Sequence, residues 1–240
     1  MRTLLVATGS AHKLAELRRL FGPLPFDLHT LADEGIVDEA PEEGATFAAN
    51  AIAKARFYAA ESGLFTLADD SGLEVEALGG APGVSTRRYA GPNATDAENI
   101  EKLLAALRGL PPERRGARFV CTMAIVDPRA PGRRGVLKAR TFRGSCRGRI
   151  TGAPRGAFGF GYDPVFVVEA SGRTLAEHSS KEKNEISHRS RALRAILPIL
   201  KQSLLLLLHN IARKLHLRDE ALRLRVVAPI AVRVNPDVDA

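Results

Sequence analysis

Short apolar runs alternate with amphipathic stretches along the first half of the chain. Residues 4–7 form an apolar run, and the apolar positions that follow it at helical spacing are Leu14, Leu17 and Phe21. An Ala-rich stretch at residues 46–62 precedes a second apolar run at residues 65–68. The pattern predicts a strand and a helix, then a second helix that ends at Gly63, and then a buried strand.

The second half of the chain contains one well-marked helix and several strands. Residues 95–98, Thr-Asp-Ala-Glu, have the form of a capping box, and the apolar helical face that follows them ends at Gly109. Residues 119–126 and 136–142 are typical of long strands joined by a turn, and residues 165–168 of a further strand. Helices interleaved with strands, some of them antiparallel neighbours, indicate an α/β or α+β protein rather than a bundle or a sandwich.

Composition places the chain among globular proteins with an anionic partner. Its 240 residues are 45% hydrophobic and 26% charged, which excludes disordered, collagen-like and coiled-coil classes. The formal charge of +8 favours nucleic acid, a membrane surface or a phosphorylated metabolite as partner. Eight basic residues and no acidic one lie at residues 129–149, where their alternation favours strand faces and turns.

Cysteine usage and hydropathy predict the compartment. Two cysteines, Cys121 and Cys146, in a chain of this size favour a reducing cytosol over a disulfide framework. The apolar stretch at the N-terminus is too short for a signal peptide, and the longest leucine run, residues 204–208, is far below the roughly 18 residues of a membrane span. We therefore expect a cytoplasmic protein without a membrane partner.

Residues 8–13, Thr-Gly-Ser-Ala-His-Lys, join the first strand to the first helix. Free backbone N–H groups and the helix dipole favour an anion at such a place, with Lys13 as a point charge. The segment lacks the second glycine and the Gly-Lys-Ser/Thr ending of a Walker A loop, so a plain strand-to-helix turn is the better interpretation on spacing alone. The glycine-rich residues 156–161 are not a Rossmann fingerprint, because position 164 is Pro.

Carboxylates gather at Glu42-Glu43 and at Asp69-Asp70, the latter directly after a predicted buried strand. Hard oxygen ligands suit Mg²⁺, which takes one or two carboxylates together with substrate phosphates. Neighbouring strand residues face opposite ways, so Asp69 and Asp70 would share a metal only if the strand ended between them. The alternative is that one aspartate opens a turn before Gly72, and the residues alone do not choose between the two.

The last predicted helix covers residues 187–197 and ends before Pro198. Ser187 is its candidate N-cap. The cations around that residue are Lys181, Lys183, His188 and Arg189. Because cations at a helix N-terminus oppose the helix dipole, the pattern favours an anionic ligand over an ordinary solvated face.

Six segments, taken in order, resemble the inosine triphosphate pyrophosphatase family, whose members hydrolyse aberrant purine nucleoside triphosphates. The matching strings are TGSAHK at 8–13, EEGATF at 42–47 with Asn50-Ala51 and Lys54-Ala55, ADDSGL at 68–73, GGAPGV at 79–84 with Ser85, Arg87 and Tyr89, FGFGYDP at 158–164, and Lys183 with ISHR at 186–189. The resemblance covers residues 1–200. It implies an elongated single α/β domain, with a long mixed twisted sheet flanked by helices and two lobes around a substrate cleft, usually as a homodimer.

The same resemblance implies a set of site residues. Asp70 would be the general base and a metal ligand, with Glu42 as the second Mg²⁺ carboxylate. The triphosphate would lie on Thr8, Gly9, Ser10, Ala11, His12 and Lys13, and Ser71 would contact substrate beside the metal. Phe160, Gly161, Tyr162 and Asp163 would line the base pocket. Lys183 would reach the substrate, and His188 and Arg189 would read the 6-keto edge of hypoxanthine or xanthine.

The chain departs from the family pattern in two places. Ser10 stands where the family commonly has Asn, and its hydroxyl can still donate to phosphate, so altered contacts rather than lost activity are expected. Pro198 falls where the family's last helix would continue. Residues 201–240 have no counterpart and form a C-terminal extension, whose amphipathic stretch at residues 203–225 is either docked on the domain or mobile.

The function implied by the resemblance is Mg²⁺-dependent hydrolysis of ITP, dITP or XTP to the nucleoside monophosphate and pyrophosphate, which cleanses the nucleotide pool. A pyrophosphatase of another base specificity is an alternative, since it would differ only in the pocket. A nucleic-acid-binding module, suggested by the basic residues, would need interleaved aromatic side chains. Residues 129–149 contain Phe142 alone, so we expect no stable nucleic-acid partner.

Overall fold

A mixed sheet of six strands organises the protein, whose computed structural model describes residues 2–21, 26–131 and 135–200. The strands are β1 (Arg2–Ala7), β2 (Phe26–Thr30), β3 (Phe65–Val75), β4 (Gly116–Pro131), β5 (Leu137–Ile150) and β6 (Phe166–Val168). Their spatial order is β2-β1-β3-β4-β5-β6. Strand β1 runs parallel to β2 and β3, and the remaining neighbours are antiparallel. The predicted α/β class, with a mixed sheet flanked by helices, is confirmed.

Helices cover both faces of this sheet. They are α1 (Ala11–Phe21), α2 (Phe47–Ser62), α3 (Asp96–Ala106), α4 (Ser180–Ile186) and α5 at residues 188–200. The hydroxyl of Thr46 caps α2 by accepting from the Ala49 amide, and Gly63 ends the helix in the left-handed conformation at φ 66°. The predicted capping box of α3 forms between Thr95 and Glu98. Each predicted helix is therefore present.

Small side chains bring α2 close to the sheet. Ala51, Ala55 and Ala59 are fully buried and belong to one apolar cluster with Ala68 of β3 and Ala124 of β4. With only methyl groups between them, the helix backbone can approach the strands closely. The polar residues at the N-terminal end of α2 are thereby fixed over the middle of β3.

The opposite face of the sheet carries α1 and α5. Leu17 and Phe21 of α1 pack in one cluster with Leu193 and Ile196 of α5 and with Met123 of β4. Burying four or five such side chains contributes on the order of 10 kcal/mol before conformational entropy is subtracted. This packing joins the first and last helices of the described chain into one layer.

Strand β3 extends further than the apolar run predicted. It pairs with β1 only up to Ala68, yet it continues to Val75 along β4. The interpretation of an aspartate as the opening of a turn before Gly72 is therefore wrong. A Cβ at Gly72 would lie 2.3 Å from the Thr86 hydroxyl, so this glycine serves the close approach of a neighbouring segment.

Helix α5 also extends further than predicted, since it passes Pro198 and continues to residue 200. Proline removes one backbone hydrogen bond from a helix. The burial of Ile196 and Leu200, both fully enclosed in the cluster with α1, offsets that loss. The predicted extension at residues 201–240, with its amphipathic stretch, lies outside the described residues.

Candidate active site

Two consecutive carboxylates lie where β3 continues beyond the end of β1. Asp69 and Asp70 are both buried and face opposite sides of the sheet, because β3 does not end between them. Asp69 Oδ2 lies 3.0 Å from Lys13 Nζ, and Asp70 Oδ1 lies 3.3 Å from Lys54 Nζ. The two aspartates therefore have separate partners, as expected if they do not share a metal.

Two hydroxyls of the loop between β1 and α1 accept hydrogen bonds from backbone amides of the same segment. The Thr8 hydroxyl accepts from the Ser10 amide at 3.2 Å, and the Ser10 hydroxyl accepts from the Lys13 amide at 3.4 Å. Ser10 thus acts as the cap of α1. A Cβ placed on Gly9 would meet no atom within 4 Å, so the described residues leave space beside this part of the loop.

The face of Asp70 carries a second carboxylate and a buried lysine. Lys54 Nζ lies 2.9 Å from Glu42 Oε1 as well as 3.3 Å from Asp70 Oδ1, so its ammonium bridges the two acids. Asn50 Nδ2 donates to the other Asp70 oxygen at 3.0 Å. Burial raises the pKa of Asp70 above its ordinary value, although Lys54 and Asn50 act in the opposite direction.

Asn50 and Lys54 were not among the predicted site residues. They lie four residues apart and so share the face of α2 that looks towards β3. The signal that marks them is a pair of polar residues on a face otherwise built of alanine. Burial alone would lower the pKa of Lys54, but Asp70, Asp69 and Glu42 outweigh it and raise the pKa, so the ammonium stays charged.

On the face of Asp69, a buried network of ion pairs joins α1, β3, α4 and α5. Arg189 contacts Glu16 through Nη1, and its Nη2 donates to the Ser71 hydroxyl at 3.1 Å. Lys183 Nζ lies 2.7 Å from Glu16 Oε1 and 2.7 Å from Asp163 Oδ2. The Ser71 hydroxyl in turn donates to Asp69 at 3.3 Å.

Charges in this network are balanced. Its acids are Asp69, Glu16 and Asp163, and its bases are Lys13, Arg189 and Lys183. Burial alone would raise the pKa of Asp69, but Lys13 and Arg189 outweigh it and hold that pKa well below its usual range. Glu16 was not predicted as a site residue. In the sequence it is an acid three positions after Lys13, a spacing that places both residues on one face of α1.

The glycine-rich segment after β5 brings Phe160 onto the network. The Phe160 ring stacks on His12, with centroids 5.0 Å apart and an interplanar angle of 14°. Lys183 Nζ lies 4.9 Å and the Arg189 guanidinium carbon 5.8 Å from the centroid of the same ring. Asp163 is buried and accepts from the Phe160 amide at 3.0 Å, which fixes the backbone beside the ring.

The two residues that follow Phe160 are held by the fold. Gly161 donates its amide to Asp96 at 2.7 Å, and the Tyr162 hydroxyl donates to the Thr86 carbonyl oxygen at 2.9 Å. Tyr162 is buried within an apolar cluster. Of the four residues predicted for the base pocket, Phe160 therefore presents its ring to the charged groups, and Tyr162 and Asp163 support the segment from inside.

His188 is buried against a strand glycine. A Cβ at Gly144 would lie 2.1 Å from the His188 carbonyl oxygen, so only glycine lets α5 start this close to β5. The imidazole stacks on Phe119 with centroids 4.8 Å apart. Burial, Arg189 and Lys183 lower its pKa well below the ordinary value, so the ring is neutral at pH 7.

Three buried polar atoms near this network have no hydrogen-bond partner among the described residues: Asp69 Oδ1, His188 Nδ1 and Arg189 Nε. Arg189 Nε lies 3.8 Å from Asp69, a distance that is too long for a hydrogen bond. Buried polar groups in folded proteins are otherwise almost always paired. Unpaired groups clustered at one place suit a polar ligand that completes them.

Two further features bear on partners. Within residues 2–21, 26–131 and 135–200, no helix has the length and apolar character that a membrane crossing needs. The basic residues of β5 alternate with inward-facing ones, as predicted, and Phe142 packs against the core with the Arg140 guanidinium 5.8 Å from its ring centroid. Phe142 is partly buried and is the one aromatic residue of β5.

Comparison with known proteins identifies the family. A sequence profile described as the Ham1 family matches residues 4–199, and the chain belongs to that family. A dITP/XTP pyrophosphatase of Bacillus licheniformis is 44% identical over 203 residues, which cover 85% of this chain and all of the relative. One of Mycolicibacterium paratuberculosis is 50% identical over 204 residues, 83% of this chain and 96% of the relative.

Solved structures agree with this assignment. A HAM1 protein from Coxiella burnetii superposes with a TM-score of 0.75 at 41% identity, covering 84% of this chain and all of that chain. The resemblance drawn from the six sequence segments is thereby confirmed.

Proposed function

We propose that the chain hydrolyses non-standard purine nucleoside triphosphates, namely ITP, dITP and XTP, to the nucleoside monophosphate and pyrophosphate. The observation that carries the proposal is the arrangement around residues 69–71 of β3. A base and a second carboxylate lie on one face of the sheet, and Lys13 and Arg189 lie on the other. The names of the two curated relatives support the same substrate class.

Asp70 acts as the general base in this proposal. Its raised pKa makes it a stronger proton acceptor than an ordinary aspartate, and Asn50 and Lys54 fix its two oxygens. Water that loses a proton to Asp70 attacks the α-phosphorus, and pyrophosphate leaves. Lys13 and the N-terminus of α1 stabilise the negative charge that develops on the leaving group.

Glu42 and Asp70 fit a Mg²⁺ ion. No group of three or more His, Cys, Asp or Glu side chains suited to a metal occurs in the described ranges, so the protein offers two carboxylates. Mg²⁺ is ordinarily held by one or two carboxylates together with substrate phosphates. Lys54 lies between these two acids and Arg88 lies 4.0 Å from Glu42, so cations balance the carboxylates in the nucleotide-free protein. When bound, the ion neutralises phosphate charge and makes bound water more acidic.

His188, Arg189 and Phe160 select the base. A 6-keto oxygen accepts hydrogen bonds where the amino group of adenine donates, so donors placed here favour keto purines. Glu16 and Ser71 hold Arg189 in place, and His188, which burial keeps neutral, carries one N–H donor and one acceptor nitrogen. The Phe160 ring, with cations close to its centroid, offers a face on which a purine can stack.

The active unit is proposed to be residues 1–200, acting as a homodimer in the cytoplasm. Both cysteines, Cys121 and Cys146, are buried and unpaired, which suits a reducing compartment. Sedimentation equilibrium of the full chain tests the dimer, because a monomer at micromolar concentration would contradict it.

Hydrolysis of dITP in ¹⁸O-labelled water tests the reaction class. The proposal expects the label in the nucleoside monophosphate and none in pyrophosphate, because water attacks the α-phosphorus. Label in orthophosphate would indicate attack at the γ-phosphorus and would contradict it.

A further inference from the structure

The ammonium of Lys54 lies between the two proposed metal ligands, Glu42 and Asp70. Its Nζ lies 2.9 Å from Glu42 Oε1 and 3.3 Å from Asp70 Oδ1, and the side chain is 10% exposed. These are the contacts of an ammonium that serves as counter-ion to both acids at once. A second cation at Arg88 lies 4.0 Å from the other oxygen of Glu42.

The backbone of Lys54 has little freedom to move away. Its neighbours on α2, Ala51 and Ala55, are fully buried against the sheet, and the helix is capped at Thr46 and Gly63. If Lys54 left the two carboxylates, only its flexible side chain would move. A divalent ion placed between the acids while the ammonium stayed there would face a positive charge within contact distance.

We propose that Lys54 competes with the metal for Glu42 and Asp70, so that the nucleotide-free protein binds a divalent ion weakly and takes it up with a polyphosphate. The phosphate oxygens supply the missing ligands of the ion and a new partner for the ammonium. This inference rests on the proposed function for its choice of ligand. As a consequence, the metal and the nucleotide bind together, and the metal does not bind first.

The competition can be measured without turnover, by titrating the nucleotide-free full chain with Mn²⁺ and following the free ion by electron paramagnetic resonance. Lys54→Met removes the charge and keeps most of the side-chain volume, so its Mn²⁺ affinity should rise at least about tenfold over wild type. Lys54→Arg keeps the charge and should stay within about threefold of wild type. Lys138→Met removes an exposed charge on β5, away from the two carboxylates, and should also stay within about threefold.

Two further experiments test whether the gain in Mn²⁺ affinity arises at Glu42 and Asp70. Glu42→Gln added to Lys54→Met should abolish the gain in affinity. An inosine triphosphate analogue with an imido group between the α- and β-phosphorus should raise the wild-type affinity and reduce the difference between wild type and Lys54→Met to less than about threefold. Because Lys54→Met removes the cation that bridges the two acids, its melting temperature should rise more with Mn²⁺ than that of wild type. This shift reports on the same site even if the variant is less stable.

Unchanged or weaker Mn²⁺ binding by Lys54→Met would overturn the inference, and so would an equal gain in Lys138→Met, which would indicate a general effect of net charge. These outcomes are independent of catalysis. Absence of hydrolysis with every triphosphate would instead contradict the proposed function and leave the metal titration interpretable.

Discussion

Asp69 and Asp70 are adjacent in the chain, yet their carboxylates lie on opposite faces of β3 and pair with lysines from different helices. Asp69 contacts Lys13 of α1 at 3.0 Å, whereas Asp70 contacts Lys54 of α2 at 3.3 Å. The pKa of Asp69 is lowered by the cations beside it, whereas the pKa of Asp70 is raised by burial. The strand thus separates an acid that neighbouring cations keep ionised from an acid whose burial favours the protonated form.

Replacement of Asp70 by Asn should reduce kcat at least about a hundredfold, near 3 kcal/mol, because an amide neither accepts the proton nor carries the charge that a metal requires. Asn keeps the size of the side chain but can accept from only one of the two donors, Asn50 or Lys54, so the melting temperature of the variant is measured beside its kcat. Asp38→Asn, at an exposed aspartate before Glu42, is the matched control and should be close to wild type. A variant that kept half the wild-type rate would remove Asp70 from its assigned role.

His188 and Arg189 are proposed to contact the purine base. Replacing either one by Ala should reduce the preference for inosine triphosphate over ATP more than it lowers the maximal rate. His188→Ala removes one donor, which should cost about 1 to 3 kcal/mol in kcat/KM for the preferred substrate only. Arg189→Ala should do the same and also lower stability, because buried Glu16 would keep only Lys183 as a partner. Equal losses with both nucleotides would contradict a role in base selection.

The stability of the protein should depend on pH through His188. Its folded-state pKa lies well below 6.5, so below pH 6.5 the unfolded chain binds a proton that the folded chain does not. The free energy of unfolding therefore falls as the pH is lowered through about 6.5. Urea unfolding of wild type and His188→Gln measures the difference.

Other groups, including His29 with its raised pKa, are common to both proteins and cancel in that comparison. If wild type and His188→Gln lost the same amount of stability over this range, His188 would not be held neutral by burial.

A chain ending at Gln202 should fold and hydrolyse inosine triphosphate at close to the rate of the full chain. The reason is that residues up to Leu200 already provide, within the described part of the chain, three apolar clusters and the candidate site. Melting temperature and turnover of the two chains decide the matter, and a shortened chain that unfolded or lost activity would show that the proposed boundary is wrong.

Local patterns predicted the parts of the site that lie within one element and its loop. The loop at residues 8–13, the caps of α2 and the capping box at Thr95 depend on neighbours in sequence, so they were recognisable. The continuation of β3 was not, because two buried aspartates in a strand are tolerated only with the cations of α1, α2 and α5 beside them. Glu16 and Lys54 were missed for the same reason: their partners are distant in sequence.

Steady-state hydrolysis of a panel of nucleoside triphosphates, with detection of pyrophosphate, tests the central claim most directly. The account predicts that kcat/KM for dITP, ITP and XTP exceeds that for ATP and for the pyrimidine triphosphates by at least about a hundredfold, or near 2.7 kcal/mol. Comparable values for ATP, or a preference for a pyrimidine triphosphate, would contradict it.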